Sequence, residues 1–406
     1  MKYLIRKSKS SLKKKVLIVT YIIYMSGNTI LFGTNGNSLF TTLSMLCECA
    51  LGAFFFIYVT LNCKKRISNR VVATFILIYA NIILTWLLNG DFLSFAYIYY
   101  ILLIGGSFLI SNYIEFEDFK KIYCDIIYFF CCVSLVCSLI YVICPSIIQK
   151  FPITYNSHKL GYYNLGFWVT STDFEYEFRN YGCFREPGVF QIYIILALIF
   201  LFKEKLNIKH FFVYTITLLT TKSTTGYILF TILMVRYFFN ENTGLIKKIL
   251  MFVAFICAII AVVIYEINAS GYSIFGKFAI TNISFMTRFA NIFVDYEIFK
   301  QNPILGVGIT LQNDLQKILP MKMFGINTGG VDTNTYFSLL ATFGICYFII
   351  SLILTYKFAS KNGDKIIEKA LIFLILILAL ITENFRYSLF FYVILWYGII
   401  STKYYK

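Results

Sequence analysis

Long apolar segments alternate with short polar loops along almost the entire chain, and this pattern constrains the fold more than any other feature. A helix that crosses a membrane needs roughly 20 apolar residues, and inside lipid each backbone polar group needs a partner in its own helix. The pattern therefore predicts an all-α, polytopic integral membrane protein. About twelve transmembrane helices are predicted, at residues 16–32, 39–61, 71–88, 92–114, 122–144, 188–202, 210–221, 225–239, 249–265, 334–356, 370–382 and 388–402.

The composition agrees with a membrane protein and excludes an ordinary soluble domain. The chain is 59% hydrophobic and 14% charged, whereas soluble domains average roughly 45–50% apolar and 25% charged residues. The first apolar segment, residues 16–32, follows a basic tail but has no small-residue cleavage site, so a cleaved signal peptide is not expected. Residues 1–406 are predicted to form a single polytopic membrane domain.

The distribution of positive charge predicts the orientation of the helices. The formal net charge is +16, and 25 of the 36 lysines and arginines fall at the termini and in the loops assigned to one side. The short opposite loops, residues 33–38 and 89–91, contain none. Because loops rich in lysine and arginine stay in the cytoplasm, both termini are predicted to be cytoplasmic. The basic charge is therefore mostly topological, and no nucleic-acid partner is expected.

Two long segments are then predicted on the outer face, a first outer loop at residues 145–187 and a second outer loop at 266–333. Aromatic and apolar residues repeat at three- and four-residue spacing between Phe285 and Phe299, which predicts an amphipathic helix at the membrane interface or packed on the bundle. The side of this helix that carries Asn291 and Asp295 is expected to face water.

Polar and glycine residues predict how the second outer loop continues. Asn302-Pro303 is expected to end the amphipathic helix, and residues 306–308, Gly-Val-Gly, are expected to form a turn. Asp332 or Thr333 is expected to cap the next transmembrane helix.

Known nucleotide and metal motifs are missing from the sequence. Residues 306–308 are not followed by the rest of a dinucleotide fingerprint, and the glycine-rich residues 325–330 lack the Lys-Ser/Thr of a phosphate loop. The sequence has only two histidines, His158 and His210, and no C-x-x-C pair. We therefore expect neither a cofactor nor a bound metal.

Residues 179–191 combine two arginines and a glutamate with the start of an apolar helix. Glu186-Pro187 is typical of a helix start, because proline leaves no N–H unpaired there and a carboxylate is favourable at the positive end of the helix dipole. Two interpretations remain open. One is a capped membrane helix with arginines that reach the interface, and the other is an anionic-substrate site at the outer membrane surface.

Further charges near the outer ends of the predicted helices favour the second interpretation. Several cations on one face suit a diphosphate, since guanidinium binds phosphate oxygens through two hydrogen bonds, and a carboxylate among them can act as a general base. For each residue alone, an interfacial anchor or a salt bridge is an equally good interpretation. The set comprises Arg179, Arg185, Glu186, Lys222, Arg288, Asp332, Glu383 and Arg386.

Glu48 lies in the middle of a predicted transmembrane helix. A carboxylate at such a position is a candidate functional residue, but we favour a protonated or hydrogen-bonded side chain within the bundle.

Four segments together resemble the O-antigen and capsule polymerase/ligase superfamily, which includes Wzy-type polymerases and O-antigen ligases. The resemblance covers roughly residues 179–346; each motif alone is weak, and four in the same order are more specific. The motifs are Arg179-x-x-Gly182-x-Phe184-x-Glu186-Pro187, residues 219–226, Arg288 with residues 302–308, and Asn334-x-Tyr336-Phe337-(x)6-Gly344.

Two positions depart from the pattern of this superfamily. Thr333 occupies the position where ligases carry a histidine implicated in catalysis, and Thr224 stands where many members carry arginine. The missing histidine argues against a ligase and leaves Asp332 and Glu186 as candidate bases.

The resemblance implies a GT-C-like bundle with a lipid-accessible outer cavity under the second outer loop. It implies a metal-independent glycosyltransferase that moves a growing glycan from undecaprenyl diphosphate to an incoming lipid-linked repeat unit. The product would be O-antigen or capsule polymer, made at the outer face of the bacterial cytoplasmic membrane. By this resemblance Glu186 and Asp332 are expected to be catalytic, and the expected diphosphate or glycan ligands are Arg179, Arg185, Lys222, Arg288, Asn334 and Arg386.

The expected partners are the undecaprenyl-diphosphate-linked oligosaccharide, membrane lipid, and as candidates a chain-length regulator and a flippase. Two alternatives remain open, an O-antigen ligase-type transferase and a transporter or flippase of lipid-linked sugars. A transporter should carry charged or broken helices near the middle of the membrane, and apart from Glu48 the sequence predicts little of either.

Overall fold

The apolar segments form α-helices in the computed structural model, because a helix pairs its own backbone groups and buries an apolar face. The structure describes residues 2–25, 27–33, 38–61, 69–90, 94–155, 160–172, 178–203, 207–238, 249, 252–253, 256, 283–328, 330 and 332–400. In these ranges the main helices are α1 (Lys2–Tyr24), α2 (Ile30–Gly33), α3 (Ser38–Leu61), α4 (Asn69–Leu88), α5 (Phe95–Tyr113), α6 (Phe116–Ile143), α7 (Pro145–Ile148), α8 (Pro187–Lys203), α9 (Ile208–Thr220), α10 (Thr224–Phe238), α11 (Ile283–Gln301), α12 (Ile309–Phe324), α13 (Tyr336–Asn362), α14 (Ile366–Thr382) and α15 (Leu389–Ile399).

Four of these helices, α4, α5, α6 and α13, are long and apolar enough to cross a membrane. Shorter apolar helices lie at Leu39–Phe54, Pro187–Lys203, Ile208–Thr220 and Leu389–Ile399. The described fold is mostly helical, in agreement with an all-α membrane protein. The number of twelve spans, their orientation and the cytoplasmic termini stay predictions.

The N-terminal helix differs from its prediction at residues 16–32. Helix α1 begins at Lys2, inside the basic tail, and ends at Tyr24. Lysine is a good helix former and the tail contains no glycine or proline, so the helix extends through it. Most of the helix predicted at 249–265 lies outside the described residues.

The chain divides into two compact units. The first comprises Met1–Tyr123, Thr287–Lys361 and Leu380–Lys406, and the second comprises Cys124–Met286 and Asn362–Ala379.

Helix α5 is the centre of the first unit and packs against α3, α4 and α15. A Cβ atom on Gly52 of α3 would come within 2.2 Å of the Leu102 carbonyl oxygen on α5. Small residues permit this backbone approach, which is common between membrane helices. On the side of α15, the indole Nε1 of Trp396 donates a hydrogen bond to the Ile104 carbonyl at 3.2 Å.

Helix α8 is the core of the second unit. Each residue from Pro187 to Phe202 is buried, and α9 and α10 pack against the helix. A helix that is apolar on all sides belongs in the interior.

The segment predicted to form the first outer loop contains an antiparallel sheet of β1 (Ile153–Tyr155), β2 (Gly161–Asn164) and β3 (Val169–Ser171), in that order. Trp168 is fully buried beside this sheet, in a cluster with Cys137 and Ile148. The sheet was not predicted, because strands of three or four residues are too short to show an alternating pattern.

Helix α13 of the first unit is broken at Gly344, which has φ 75° and ψ −174°. The backbone N–H groups of Val307 and Gly308 donate to the carbonyls of Ala341 and Thr342, both at 3.0 Å. The break frees these two carbonyls from their usual partners four residues later in the helix. This break was not predicted from the sequence, and the Gly-Val-Gly turn at 306–308 fills it.

Candidate functional site

Helix α11 turns its polar side toward the protein interior. Asn291 and Asp295 have no exposed surface, whereas Phe289, Phe293 and Tyr296 are 41%, 44% and 47% exposed. The expectation that Asn291 and Asp295 face water is therefore wrong. Buried polar groups are tolerated where they have hydrogen-bond partners, and aromatic side chains are frequent on the outer surfaces of membrane proteins at the interface.

Helix α12 supplies the main partners of this polar side and was not predicted. It begins after Gly308 and buries the stripe Ile309, Gln312, Gln316 and Pro320. The three- and four-residue spacing is helical, but two members of the stripe are glutamines. A search for apolar periodicity misses such a helix.

Asp295 is held by three side-chain amides. Its Oδ1 accepts hydrogen bonds from Nε2 of Gln312 at 3.1 Å and Nε2 of Gln316 at 2.7 Å. Its Oδ2 accepts from Nδ2 of Asn334 at 2.9 Å. Asp295 was not predicted as a site residue, because a lone aspartate on an amphipathic helix usually faces solvent.

Asp332 contacts two of these three amide residues, Gln312 and Asn334. Its Oδ1 accepts from the backbone N–H of Asn334 at 3.1 Å, and its Oδ2 lies 3.4 Å from Nε2 of Gln312. Its Oδ2 is also 4.0 Å from Nη1 of Arg386, and the side chain is 8% exposed. Asp332 therefore combines a cationic neighbour with residual access to solvent.

Arg386 is buried and donates to several neutral acceptors besides its contact with Asp332. Nη1 donates to Gln312 Oε1 at 2.7 Å, to Ser338 Oγ at 2.6 Å and to Thr342 Oγ1 at 3.1 Å. Nη2 donates to Asn313 Oδ1 at 2.9 Å and to the Tyr387 hydroxyl at 3.1 Å. The planar guanidinium, with five N–H donors, suits this many partners.

The environment shifts the acidity of both carboxyl groups. Burial raises the pKa of Asp295 to about 8, and the charge of Asp332 adds to this shift. Burial also raises the pKa of Asp332, while the charge of Arg386 opposes the increase. Perturbed carboxyl groups of this kind are frequent where a protein moves protons.

The prediction that Asp332 or Thr333 caps helix α13 is wrong. Helix α13 starts at Tyr336, and Asn334 Oδ1 accepts the backbone N–H of Ser338 in its first turn at 3.0 Å. Thr333 accepts a hydrogen bond from Nδ2 of Asn291 at 3.1 Å.

Arg288 forms an ion pair near this cluster, within the first unit. Its Nη2 lies 2.9 Å from Oε1 of Glu383, and the two side chains are 28% and 4% exposed. The Glu383 carbonyl accepts a hydrogen bond from the Thr335 hydroxyl at 2.7 Å, which fixes the segment before Arg386 to the start of α13.

The remaining predicted residues lie in the second unit. Helix α8 begins at Pro187, and the Glu186 carbonyl accepts the N–H groups of Val189 and Phe190 at 3.1 Å each, so the predicted helix start is confirmed. The Glu186 side chain is exposed and Arg185 is half-buried.

Arg179 contacts the turn between α9 and α10. Its Nε donates to the Thr221 carbonyl at 3.3 Å and its Nη2 to the Lys222 carbonyl at 3.5 Å. Lys222 has a φ of 50°, a left-handed conformation that is uncommon for a residue with a side chain. Arg179 therefore lies against the backbone of the turn that carries Lys222.

The structure therefore brings together Asp332, Asn334 and Arg386 in one network, and Arg179 and Lys222 in another. That all the predicted cationic residues bind one common ligand remains a prediction. Glu48, on α3, is buried and accepts a hydrogen bond from the Tyr99 hydroxyl, in agreement with the interpretation that we favoured.

Part of the chain matches a known protein family. Residues 210–352 match the sequence profile of a family described as O-antigen ligase. No curated protein and no solved structure matches the chain. The matched region contains Arg288, Asp295, Asp332 and Asn334, and ends before Arg386. Over this part of the chain, the match supports the O-antigen polymerase/ligase superfamily and, at the family level, a polysaccharide-related membrane transferase.

Proposed function

We propose that this protein is a polysaccharide polymerase, a glycosyltransferase that joins undecaprenyl-diphosphate-linked repeat units into O-antigen or capsule polymer. The reaction would take place at the outer face of the bacterial cytoplasmic membrane. The observation that carries the proposal is the buried network of Asp332 and Arg386. Most of this network belongs to the region that matches the O-antigen ligase family.

In the proposed reaction, the bond between the anomeric carbon of the growing glycan and the diphosphate oxygen breaks. A new bond forms between that carbon and a hydroxyl oxygen of the acceptor sugar. The hydroxyl proton passes to the carboxylate of Asp332 and is later released to water, and the diphosphate leaves with the bonding electron pair. General base assistance of this kind contributes roughly 10²- to 10⁴-fold in rate.

Asp332 is the better candidate for the base than Glu186. Arg386 and the backbone N–H of Asn334 orient and stabilise its carboxylate, and its remaining exposure leaves it reachable. Glu186 has an exposed side chain, and its carbonyl starts helix α8. We therefore assign Glu186 a role in ending the loop before α8 and keep Asp332 as the base.

Within the second unit, the proposed phosphate ligands are Arg179, Arg185 and Lys222. Within the first unit, Arg288 is the proposed phosphate ligand. Arginine suits a diphosphate because it offers two parallel hydrogen bonds. Arg386 and Asn334 make their hydrogen bonds to protein atoms around Asp332 and Asp295. We therefore propose that these two residues act through the carboxylates.

A ligase-type transferase is the second candidate, because the matching profile describes O-antigen ligases. Thr333 at the position of the ligase histidine favours the polymerase over this candidate. A transporter of lipid-linked sugars is the third. The break in α13 at Gly344 weakens the sequence argument against a transporter.

One experiment separates the three candidates. The gene is deleted, and surface glycan is analysed by gel with and without complementation by the wild-type and Asp332→Asn proteins. Loss of a polymerase leaves single repeat units on the final acceptor, loss of a ligase leaves the acceptor bare, and loss of a transporter traps units in the cytoplasm. Long polymer from the deletion strain, or from Asp332→Asn at full yield, would contradict the proposal.

A further inference from the structure

Two carboxyl groups of the first unit, Asp295 and Asp332, are linked through Gln312 to one buried cation, Arg386. Nε2 of Gln312 lies 3.1 Å from Asp295 and 3.4 Å from Asp332, and Asn334 donates to both residues, from its side chain and from its backbone. Arg386 lies 4.0 Å from Asp332 and donates to Oε1 of the same Gln312 at 2.7 Å. The partners that α12 contributes, Gln312 and Gln316, are neutral.

The charges of this group balance only when one carboxyl group carries a proton. Two ionised carboxylates and one guanidinium would leave a net negative charge in the interior, where a charge without a partner is strongly disfavoured. A single proton makes the three groups neutral together. Two carboxyl groups at close range commonly share a proton in this way.

The surroundings of the two residues decide which one holds the proton. Asp332 lies 4.0 Å from the guanidinium and its side chain is 8% exposed. Asp295 has no exposed surface, and its hydrogen-bond donors are three neutral amides. Asp332 therefore keeps its charge more easily, and the proton belongs on Asp295.

Gln316 offers the protonated form of Asp295 a partner. Its Nε2 donates to Asp295 Oδ1, while among the described residues its buried Oε1 has no hydrogen-bond partner. A half-turn of the amide exchanges these atoms, and Oε1 then accepts the proton of an Asp295 hydroxyl. Gln312 is less suited, since its Oε1 already accepts from Arg386 at 2.7 Å.

We propose that Asp295 is a positioning residue that holds one proton beside Asp332, so that Asp332 alone stays ionised next to Arg386. This inference rests on the proposed role of Asp332 as the base in glycosyl transfer. The consequence is a pH limit on activity. When Asp295 loses its proton at alkaline pH, a second negative charge enters the network and disturbs the pairing of Asp332 with Arg386.

Asp295→Asn tests the inference, because asparagine has nearly the shape of a protonated aspartic acid and cannot ionise. Purified wild-type and variant proteins are compared for transfer of lipid-linked repeat units across a pH series. We expect Asp295→Asn to lack the alkaline decrease in activity of the wild type. Asp332→Asn is expected to lose about 100-fold or more at every pH. An Asp295→Asn variant as inactive as Asp332→Asn, or one with an unchanged alkaline decrease, would overturn the inference.

Infrared spectroscopy tests the protonation without any need for activity. A protonated carboxyl group has a C=O stretching band that a carboxylate lacks. At neutral pH we expect Asp295→Asn to remove such a band from the wild-type spectrum. Glu48→Gln is the matched control, since it removes another buried carboxyl group and should leave the Asp295 band unchanged.

An unchanged band in Asp295→Asn would contradict the inference even if the variant were inactive. The infrared result also separates the two proposals. Absence of transfer by the wild-type protein would count against the polymerase, whereas the infrared band reports on Asp295 alone.

Discussion

Gly344 and Gly306 lie backbone against backbone, such that a Cβ atom on Gly344 would come within 2.7 Å of the Gly306 amide nitrogen. The same Cβ atom would lie 2.2 Å from the Ile304 carbonyl oxygen. This contact docks the 302–308 turn into the break of α13. The same helix starts at Tyr336, shortly after Asp332 and Asn334.

Gly344→Ala is therefore expected to destabilise the protein strongly. A residue with a side chain in such a backbone conformation costs about 1–3 kcal/mol, and the clash with Ile304 adds to this cost. Gly325→Ala is the matched control, because Gly325 has φ 68° but no atom within 4 Å of its Cβ position. Thermal unfolding of both variants in detergent measures the difference, and equal losses would show that the contact with residues 304–306 is unimportant.

Arg386→Met is expected to cost about 3–5 kcal/mol of stability, because removing one partner leaves a buried carboxylate without its cation. Arg386→Lys keeps the charge but cannot reproduce the planar set of donors to Gln312, Ser338 and Asn313. We expect the lysine variant to fold and to lose activity. Denaturation and transfer assays on the same preparations check this, and a fully active lysine variant would contradict the role of the guanidinium geometry.

Arg288→Lys separates a phosphate ligand from a membrane anchor. Lysine reaches the interface as well as arginine does and can still pair with Glu383, but it cannot bind phosphate through two parallel hydrogen bonds. We expect about tenfold less polymer at matched protein levels, the equivalent of about 1.4 kcal/mol. Glu383→Gln is the companion variant, which removes the ion pair and keeps Arg288. Near-normal polymer from Arg288→Lys would leave only the anchor role.

The helices were largely predictable from the sequence, and the interior of the site was not. Apolar runs predicted α3, α4, α5 and α8 closely, because burial in lipid or in the core demands such runs. Asp332 and Arg386 were found because charges at helix ends are rare in a chain of this composition.

The sequence did not predict the parts of the candidate site in which polar residues face the protein interior. Helix α12 buries Gln312 and Gln316, and α11 buries Asp295, so both helices have the opposite polarity from a usual amphipathic helix. Their partners, Asn334 and Arg386, are distant in sequence. A single chain shows no signal that pairs residues so far apart, and only the fold reveals the network.

The pH dependence of stability provides a further test of Asp295. Its pKa in the folded protein is raised above the ordinary value of about 3.9. The folded state therefore binds more protons than the unfolded state, so Asp295 reduces stability progressively as the pH rises from about 4 toward 8. We expect the melting temperature of Asp295→Asn to fall less over this range than that of the wild type. Parallel curves for the two proteins would contradict the raised pKa.

The orientation of the chain is tested by labelling single cysteines in a background without the native ones. Lys150, in the predicted first outer loop, and Lys317, on α12, are both exposed, and Lys317 forms a surface ion pair with Asp314, so their replacement should change stability little. Loops rich in lysine and arginine stay in the cytoplasm, and residues 145–187 and 266–333 are predicted on the opposite side. Lys150→Cys and Lys317→Cys are therefore expected to react with a membrane-impermeant maleimide in intact cells or spheroplasts. Lys121→Cys is the control on the predicted inner side and should react only after the membrane is opened. The reverse pattern would place the Asp332 network on the cytoplasmic side. Transfer between lipid-linked units on the outer face would then be impossible at this site.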